Sequence, residues 1–243
     1  MNAITSAAAY ATIPAATVFA GGAIAAKWPP SPRFASYVQH FAAGVVLAAL
    51  ATELLPEVLH RRAPIAAALG FLAGTVLMLV IRELAEGKPD LQPDGASAHA
   101  KGGQGSASLT LTIGIDLLID GFLIGLGFAA GARTGALLTV ALSIEVLFLG
   151  LSTARPGMPP RKVLSTTATF GALLIVGALA GSALGGVLTG VAMEAALAFA
   201  ASALVYLVTE ELLTEAHEVP ETPLSTAMLS FGFLTIVVID MVA

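Results

Sequence analysis

Eight apolar segments follow one another along this chain of 243 residues. A helix of about 20 apolar residues is long enough to span the hydrocarbon core of a bilayer. Hydrophobic residues make up 57% of the sequence and charged residues only 11%, whereas soluble domains carry about 25% charged residues. Because so few charges cannot cover the surface of a soluble fold, we predict an all-α integral membrane protein with eight transmembrane helices.

The predicted spans leave no room for a large soluble domain, so residues 1–243 are interpreted as a single polytopic transmembrane domain. The spans are 6–26, 36–56, 63–82, 109–131, 135–153, 163–185, 189–209 and 224–242. The one long link, about 83–107, is rich in Gly, Pro, Ser and Asp and is predicted to be a flexible loop. The chain has no cysteine, which excludes disulfides and thiolate metal sites.

The distribution of positive charge predicts the orientation in the membrane. Of the 11 Lys and Arg residues, eight lie in links after odd-numbered spans: Lys27, Arg33, Arg82, Lys88, Lys101, Arg155, Arg161 and Lys162. The other three, Arg61, Arg62 and Arg133, lie on the opposite side. Cytoplasmic loops are enriched in Lys and Arg, so we expect the long loop in the cytoplasm and both termini outside.

The second and seventh spans resemble each other. Residues 41–60 and 199–218 match at seven of 20 positions with an offset of 158, including Phe41/Phe199, Glu53/Glu211 and Glu57/Glu215. Chance likeness between Ala- and Leu-rich helices is the alternative. Because five spans separate the copies, they run in opposite directions across the membrane. Such an inverted repeat is typical of secondary transporters, whose binding site lies near the midplane.

Three acids lie in the middle of predicted spans. Asp116 and Asp120 are spaced i and i+4, which places both carboxylates on one helix face. Asp120 lies about twelve residues before the turn near Arg133, and Glu145 lies about twelve residues after it. If the fourth and fifth spans form an antiparallel hairpin, Asp120 and Glu145 share one depth near the midplane.

These acids have no Lys or Arg in the middle of any span to offset them. An ionised carboxylate at that depth costs about 2.5–3.5 kcal/mol even on lenient scales. The pattern therefore indicates a cation site or a proton relay; the alternative is that all three stay protonated and hydrogen-bond between helices. An all-oxygen ligand set favours Mg, Mn, Ca or ferrous iron over zinc. Hydroxyls such as that of Ser143 are additional ligand candidates, although such groups usually bond to their own helix.

Five further acids lie towards the ends of the spans. Glu53, Glu57 and Glu194 are expected near the outer face, and Glu211 and Glu215 near the inner face. One interpretation is that they attract and pass cations along a pathway. The alternative is that they are solvated interfacial acids.

The pattern resembles the ZIP family of metal-ion transporters (ZRT/IRT-like proteins). The resemblance rests on FAAGVVLAALATELLPEVLH at 41–60 and FAASALVYLVTEELLTEAH at 199–217, which are similar to the family's second and seventh helices. It implies eight helices in a 3+2+3 arrangement with an inverted repeat, a long cytoplasmic loop after the third helix, and a metal site on helices four and five.

The resemblance also implies a degenerate metal site. The family's fourth helix carries His-Asn-x-Pro-Glu-Gly, where this chain has DLLIDG at 116–121. Asp116 takes the histidine position and Asp120 the glutamate position, while Leu117 replaces the asparagine. Glu145 takes a ligand position in the fifth helix, and Phe148 falls where another ligand is expected. A two-metal centre cannot then be complete, so at most one site remains, formed by Asp116, Asp120 and Glu145.

From the residues and the resemblance we predict a secondary transporter of a divalent cation such as Zn, Fe or Mn, with the ion as substrate, no organic cofactor and no enzymatic activity. Two alternatives stay open: proton-driven transport of another substrate, and a metal sensor or scaffold that does not transport. An intramembrane aspartyl protease is a further alternative, but no protease motif surrounds the acids. The expected setting is a bacterial inner membrane; the predicted partners are the ion and lipid, with a homodimer left open and no nucleic acid.

Overall fold

The computed structural model describes residues 3–86, 106–154 and 158–242, and within these ranges the chain is built of helices. The eight long helices are α1 Ala3–Ala25, α2 Pro32–Arg61, α3 Pro64–Glu86, α4 Ser106–Ala130, α5 Ala132–Ser152, α6 Pro160–Gly185, α7 Gly190–Ala216 and α8 Pro223–Val242. All eight are long and apolar enough to cross a membrane. The prediction of an eight-helix membrane protein is therefore confirmed at this level.

The helices begin and end at residues suited to those positions. Proline stands at the first turn of four of them, at Pro32, Pro64, Pro160 and Pro223, where its missing N–H costs nothing. Ser31 caps α2 by accepting a hydrogen bond from the Phe34 N–H at 3.3 Å. The residue after the same helix, Arg62, has a left-handed backbone (φ 57°), which is a common way to terminate a helix.

Most of the predicted flexible loop at 83–107 lies outside the described residues. Its two edges differ from the prediction, because α3 continues to Glu86 and α4 already begins at Ser106. Three of the charges used for the orientation, Lys88, Lys101 and Arg155, also lie outside the described residues.

Two helices contain a wider, π-helical turn, and in both it holds an acid. In α2 the turn is Leu50–Leu54 and includes Glu53; in α7 it is Leu207–Leu212 and includes Glu211. Pro56 explains the first turn, because its ring cannot follow an ordinary α-helical turn, and the Leu55 N–H bonds instead to the Leu50 carbonyl. Both helices continue past the predicted span ends at 56 and 209.

The helices pack as two groups. Helix α1 packs closely on α5 and α6, and α4 packs closely on α6; helix α2 packs on α8, and α3 packs on α7. Contacts of α2 with α5, and of α4 with α3 and α7, join the groups. The inner faces of α4 and α5 therefore meet α2 and α7 along one boundary.

Close approach of α4 and α6 depends on glycine. A Cβ atom at Gly121 would overlap the Leu174 carbonyl oxygen, and one at Gly177 would overlap the Leu118 carbonyl oxygen. Small residues at such positions are what allow the backbones of membrane helices to touch. Because Gly121 follows Asp120 directly, this contact also fixes where the acids of α4 lie.

Contacts between helix ends define two ends of the bundle. Ser36 near the start of α2 donates a hydrogen bond to the Ala216 carbonyl at the end of α7, at 2.8 Å; we call this the Pro32 end. Ala63, just before α3, bonds to Glu194 near the start of α7; we call this the Arg61 end.

Candidate metal centre

Asp116, Asp120 and Glu145 come together inside the bundle, and we call them the acid triad. Helix α4 places the two aspartates one turn apart, and the short junction at Gly131 folds α5 back so that Glu145 faces them. One carboxylate oxygen from each residue lies within 4.8 Å of the others. Their relative exposures are 8%, 0% and 3%, so the cluster is inside the protein rather than on its lipid-facing surface.

The triad is electrostatically uncompensated within the described part of the chain. Asp116 Oδ1, both carboxylate oxygens of Asp120 and Glu145 Oε2 are buried without a hydrogen-bond partner there. A buried polar group left unpaired costs about 1–3 kcal/mol, and more when it is charged. The arginine ion pairs among the described residues involve other acids, at the ends of the helices. Protons or a bound cation are the partners that would satisfy these oxygens.

Glu211 extends the triad towards the Pro32 end. It is half-buried in the π-helical turn of α7, and its carboxyl lies close enough to Asp116 for the two groups to interact. Glu215, one turn further on, is exposed and accepts a hydrogen bond from Gln39 Nε2 at 2.5 Å. Asp120, Asp116, Glu211 and Glu215 therefore form a continuous acid row, which becomes more exposed towards the Pro32 end.

A different set of contacts lies at the Arg61 end. Glu53 is buried and accepts a hydrogen bond from Thr134 Oγ1 at 3.1 Å. Arg133 Nε lies 3.6 Å from Glu53 Oε1, and Arg133 Nη2 also pairs with Asp240. These contacts tie α2, α5 and α8 together at this end. Glu57 pairs with Arg61 within the same helix, at 2.6 Å.

Glu194 has a structural environment. It is 2% exposed, and both its carboxylate oxygens accept hydrogen bonds from the Ala63 N–H, at 2.9 and 3.0 Å. A negative charge at the N-terminus of α3 is favourable because the N-terminal N–H groups carry partial positive charge. The predicted pathway acids are thus not one group: Glu211 and Glu215 adjoin the triad, whereas Glu53, Glu57 and Glu194 bond to other partners at the Arg61 end.

Other residues near the triad add little ligand capacity. Leu117 and Phe148 are buried and apolar, which leaves the set limited to carboxylates. The Ser143 hydroxyl donates to the Thr139 carbonyl in its own helix at 2.5 Å, as hydroxyls in membrane helices commonly do. The site is therefore an oxygen cluster of three acids with Glu211 as a fourth neighbour.

The sequence did not reveal that Glu211 lies beside Asp116 or that Asp240 pairs with Arg133. Glu211 was expected at a span end, because a regular helix of about 20 residues would stop before it. Glu211 matches Glu53 in the repeated segment, and Glu53 lies inside the predicted second span. That match was the one sequence feature that indicated a deeper position for Glu211. One sequence feature indicated a partner for Asp240: it is the only charged residue in the eighth span, which otherwise contains apolar and hydroxyl side chains.

Fold and site together define a helical membrane protein with a buried carboxylate cluster. No model of a known protein family matches the chain, and no curated protein matches it either. The functional assignment therefore depends on the geometry of the helices and their acids.

Proposed function

We propose that this chain is a secondary transporter of divalent metal cations and that the acid triad is its central binding site. The observation that carries the proposal is the meeting of three buried carboxyls within 4.8 Å with no positive side chain paired to them in the described residues. Intramembrane acids of this kind are expensive to keep and are characteristic of ion and proton pathways. A dication is the ligand whose charge and coordination preference match the site.

The donor atoms bear on which ion is carried. Carboxylate oxygens suit Mn²⁺, ferrous iron, Mg²⁺ and Ca²⁺, while Zn²⁺ more often takes nitrogen or sulfur ligands together with carboxylates. We therefore propose Mn²⁺ or Fe²⁺ as preferred substrates, with Zn²⁺ carried less well. The likeness of 41–60 and 199–217 to the ZIP family agrees with metal transport, and the chain would be a divergent member with an altered site.

Two features support a transporter built from inverted repeats in a 3+2+3 arrangement. The offset of 158 residues that aligns the two copies also brings the π-helical turn of α2, Leu50–Leu54, onto that of α7, Leu207–Leu212. The main packing pairs correspond as well, since α1 with α5 matches α6 with α4, and α2 with α8 matches α7 with α3. In such transporters the site lies between the halves, and the triad lies where α4 and α5 face α2 of one repeat and α7 of the other.

We further propose that the Pro32 end faces the cytoplasm and that the protein resides in a bacterial inner membrane. Among the described residues, five Lys and Arg residues lie towards this end and three towards the other, in the direction that the positive-inside rule predicts. The acid row rises in exposure towards the same end, which would make the described conformation open to the cytoplasm. Lipid and the ion are the proposed partners, and a homodimer is left open.

Uptake of Mn²⁺ into vesicles containing the purified protein tests the proposal. We expect Asp120→Asn to reduce initial uptake at least about tenfold, since the amide keeps the shape of the side chain but lacks its charge. Glu83→Gln is the matched control, because Glu83 is an exposed acid on α3 outside the acid row. It should transport like the parent.

Other outcomes would favour other functions. Equal uptake by the parent and Asp120→Asn would remove the triad from the mechanism and overturn the proposal. Flux that follows a pH gradient and ignores metal would indicate proton-driven transport of another substrate. Metal binding that is lost in Asp120→Asn, without flux in the parent, would indicate a sensor or scaffold.

A further inference from the structure

Two histidines and a glutamate meet at the Pro32 end, beyond the acid row. His40 lies in α2, His217 directly follows α7, and Glu221 lies in the connection to α8. One potential ligand atom from each residue lies within 4.8 Å of the others. The two imidazole rings are 5.4 Å apart between centroids and nearly perpendicular. This cluster shares no residue with the acid triad.

The hydrogen bond that His40 makes determines which of its ring nitrogens is available to a metal. Its Nδ1 lies 2.8 Å from the Ser36 carbonyl oxygen, and because a carbonyl can only accept, Nδ1 must carry the proton. In the neutral ring the other nitrogen, Nε2, then has the lone pair. Histidine ligands typically donate their second ring N–H to a carbonyl or carboxylate in this way, which fixes their orientation. With 3% exposure, the ring is also held firmly by its neighbours.

The backbone around the cluster brings the other two ligands to His40. The Ser36 hydroxyl donates to the Ala216 carbonyl at 2.8 Å, which fastens the last residue of α7 to the start of α2. His217 is the next residue in the chain, and its Nε2 lies 2.6 Å from Glu221 Oε1. A metal ion could replace the proton shared in that contact, since metal ligands bind in their deprotonated forms.

We propose that His40, His217 and Glu221 form a second metal site, with two nitrogen ligands and one oxygen ligand. Ligand bonds of about 2.0–2.2 Å separate the donors of a tetrahedral zinc site by about 3.4 Å. The distances between the three donor atoms, at most 4.8 Å, therefore exceed those of a zinc site by no more than about 1.5 Å. Side-chain rotation closes that gap, because His217 and Glu221 are exposed by 46% and 58%. Water completes the coordination.

The donor set distinguishes this site from the acid triad. Imidazole nitrogen selects Zn²⁺, Co²⁺ and similar transition metals, whereas an all-carboxylate site suits Mn²⁺, Mg²⁺ and Ca²⁺. The alternative is that His217 and Glu221 form only an exposed ion pair, which would contribute little to stability. Binding at this site does not require that the protein transports metal, so it can be tested apart from the proposed function.

The test measures Zn²⁺ binding to the full-length protein in detergent, by equilibrium dialysis and X-ray absorption at the zinc edge. All variants carry Asp120→Asn, which weakens the acid triad and isolates the second site. We expect this protein to bind about one Zn²⁺ with two histidine ligands in the absorption spectrum. Adding His217→Ala or Glu221→Gln should weaken binding at least about tenfold, and both changes are at exposed side chains.

His60→Ala is the matched control, because His60 is an exposed histidine at the Arg61 end whose Nδ1 likewise lies 2.8 Å from a carbonyl, that of Pro56. It should bind Zn²⁺ like the protein with Asp120→Asn alone. Unchanged affinity after His217→Ala, or a zinc spectrum without histidine ligands, would overturn the proposal. Neither result depends on uptake, and the vesicle assay of Asp120→Asn tests the proposed transport function separately.

Discussion

At the scale of single residues, the triad lowers the stability of the folded protein when no ion is bound. Four oxygen atoms of Asp116, Asp120 and Glu145 are buried without hydrogen bonds among the described residues, in a medium that disfavours charge. Binding sites often reduce stability in this way, so that neutralising a functional group stabilises the fold. The same variant can therefore be more stable and less active.

We expect Asp120→Asn to raise the free energy of unfolding of the metal-free protein by about 1–3 kcal/mol, the usual cost of an unpaired buried polar group. The amide removes one acid from the cluster and adds an N–H donor that can reach the neighbouring carboxyls. Thermal denaturation in detergent with a chelator measures the difference, with Glu83→Gln as the control. A second measurement with Mn²⁺ should show stabilisation of the parent and none of the variant. A less stable metal-free variant would contradict this account.

At the scale of helices, α4 holds the site in place through its contact with α6. Gly121→Ala would push a methyl group into the Leu174 backbone, and overpacking of this kind costs about 1–3 kcal/mol. We expect lower stability and a smaller stabilisation by Mn²⁺, because α4 would move together with Asp120. Thermal denaturation with and without Mn²⁺ measures both effects.

Gly114→Ala is the matched control for that prediction. Gly114 lies on the same helix and faces the same neighbour, but an added Cβ would meet only the terminal methyl of Leu173, at 3.1 Å. Both changes gain the same helix propensity, worth about 1 kcal/mol. Equal stability and equal Mn²⁺ response in the two variants would show that the α4–α6 contact does not position the site.

Those parts of the structure that depend on local sequence were predictable. Span number follows from the length of the apolar segments, and the meeting of Asp120 with Glu145 follows from their equal distances to one turn. Contacts between helices that are far apart in the sequence were not predictable, because the sequence of one helix does not specify which distant helix packs against it. Glu194 bonds to Ala63 across 131 residues, and His40 meets His217 only because α2 and α7 pack side by side.

At the scale of the whole molecule, the two ends of the bundle differ in access to the triad. Glu215 is exposed at the Pro32 end, while Glu53 is buried beside Thr134 and Arg133 at the Arg61 end. Since the natural chain has no cysteine, each single cysteine introduced into it reports on one position without background.

We expect Glu215→Cys to react quickly with a water-soluble maleimide in membranes opened to both sides, and Glu53→Cys to react at least about tenfold more slowly. Adding Arg133→Ala should accelerate the reaction of Glu53→Cys, because it removes the contact that joins α5 to α8 through Asp240.

On sealed cells, an impermeant maleimide should label Arg62→Cys but not His217→Cys, in keeping with the proposed orientation. Labelling of His217→Cys alone would reverse that orientation.

The π-helical turns of α2 and α7 also change how this chain should be compared with others. Such a turn contains one residue more than an α-helical turn, and each residue of an α-helix advances the direction of its side chain by about 100°. In a regular helix one more residue would rotate the segment that follows by that angle, but the wide turn absorbs it. Deleting a single residue within Leu50–Leu54 or Leu207–Leu212 would therefore return that turn to an ordinary α-helix, and the side chains on either side of it would keep their directions. In an alignment, a one-residue gap at either turn would therefore mark the loss of the wide turn, with the same side chains still facing the boundary, rather than a loop of variable length.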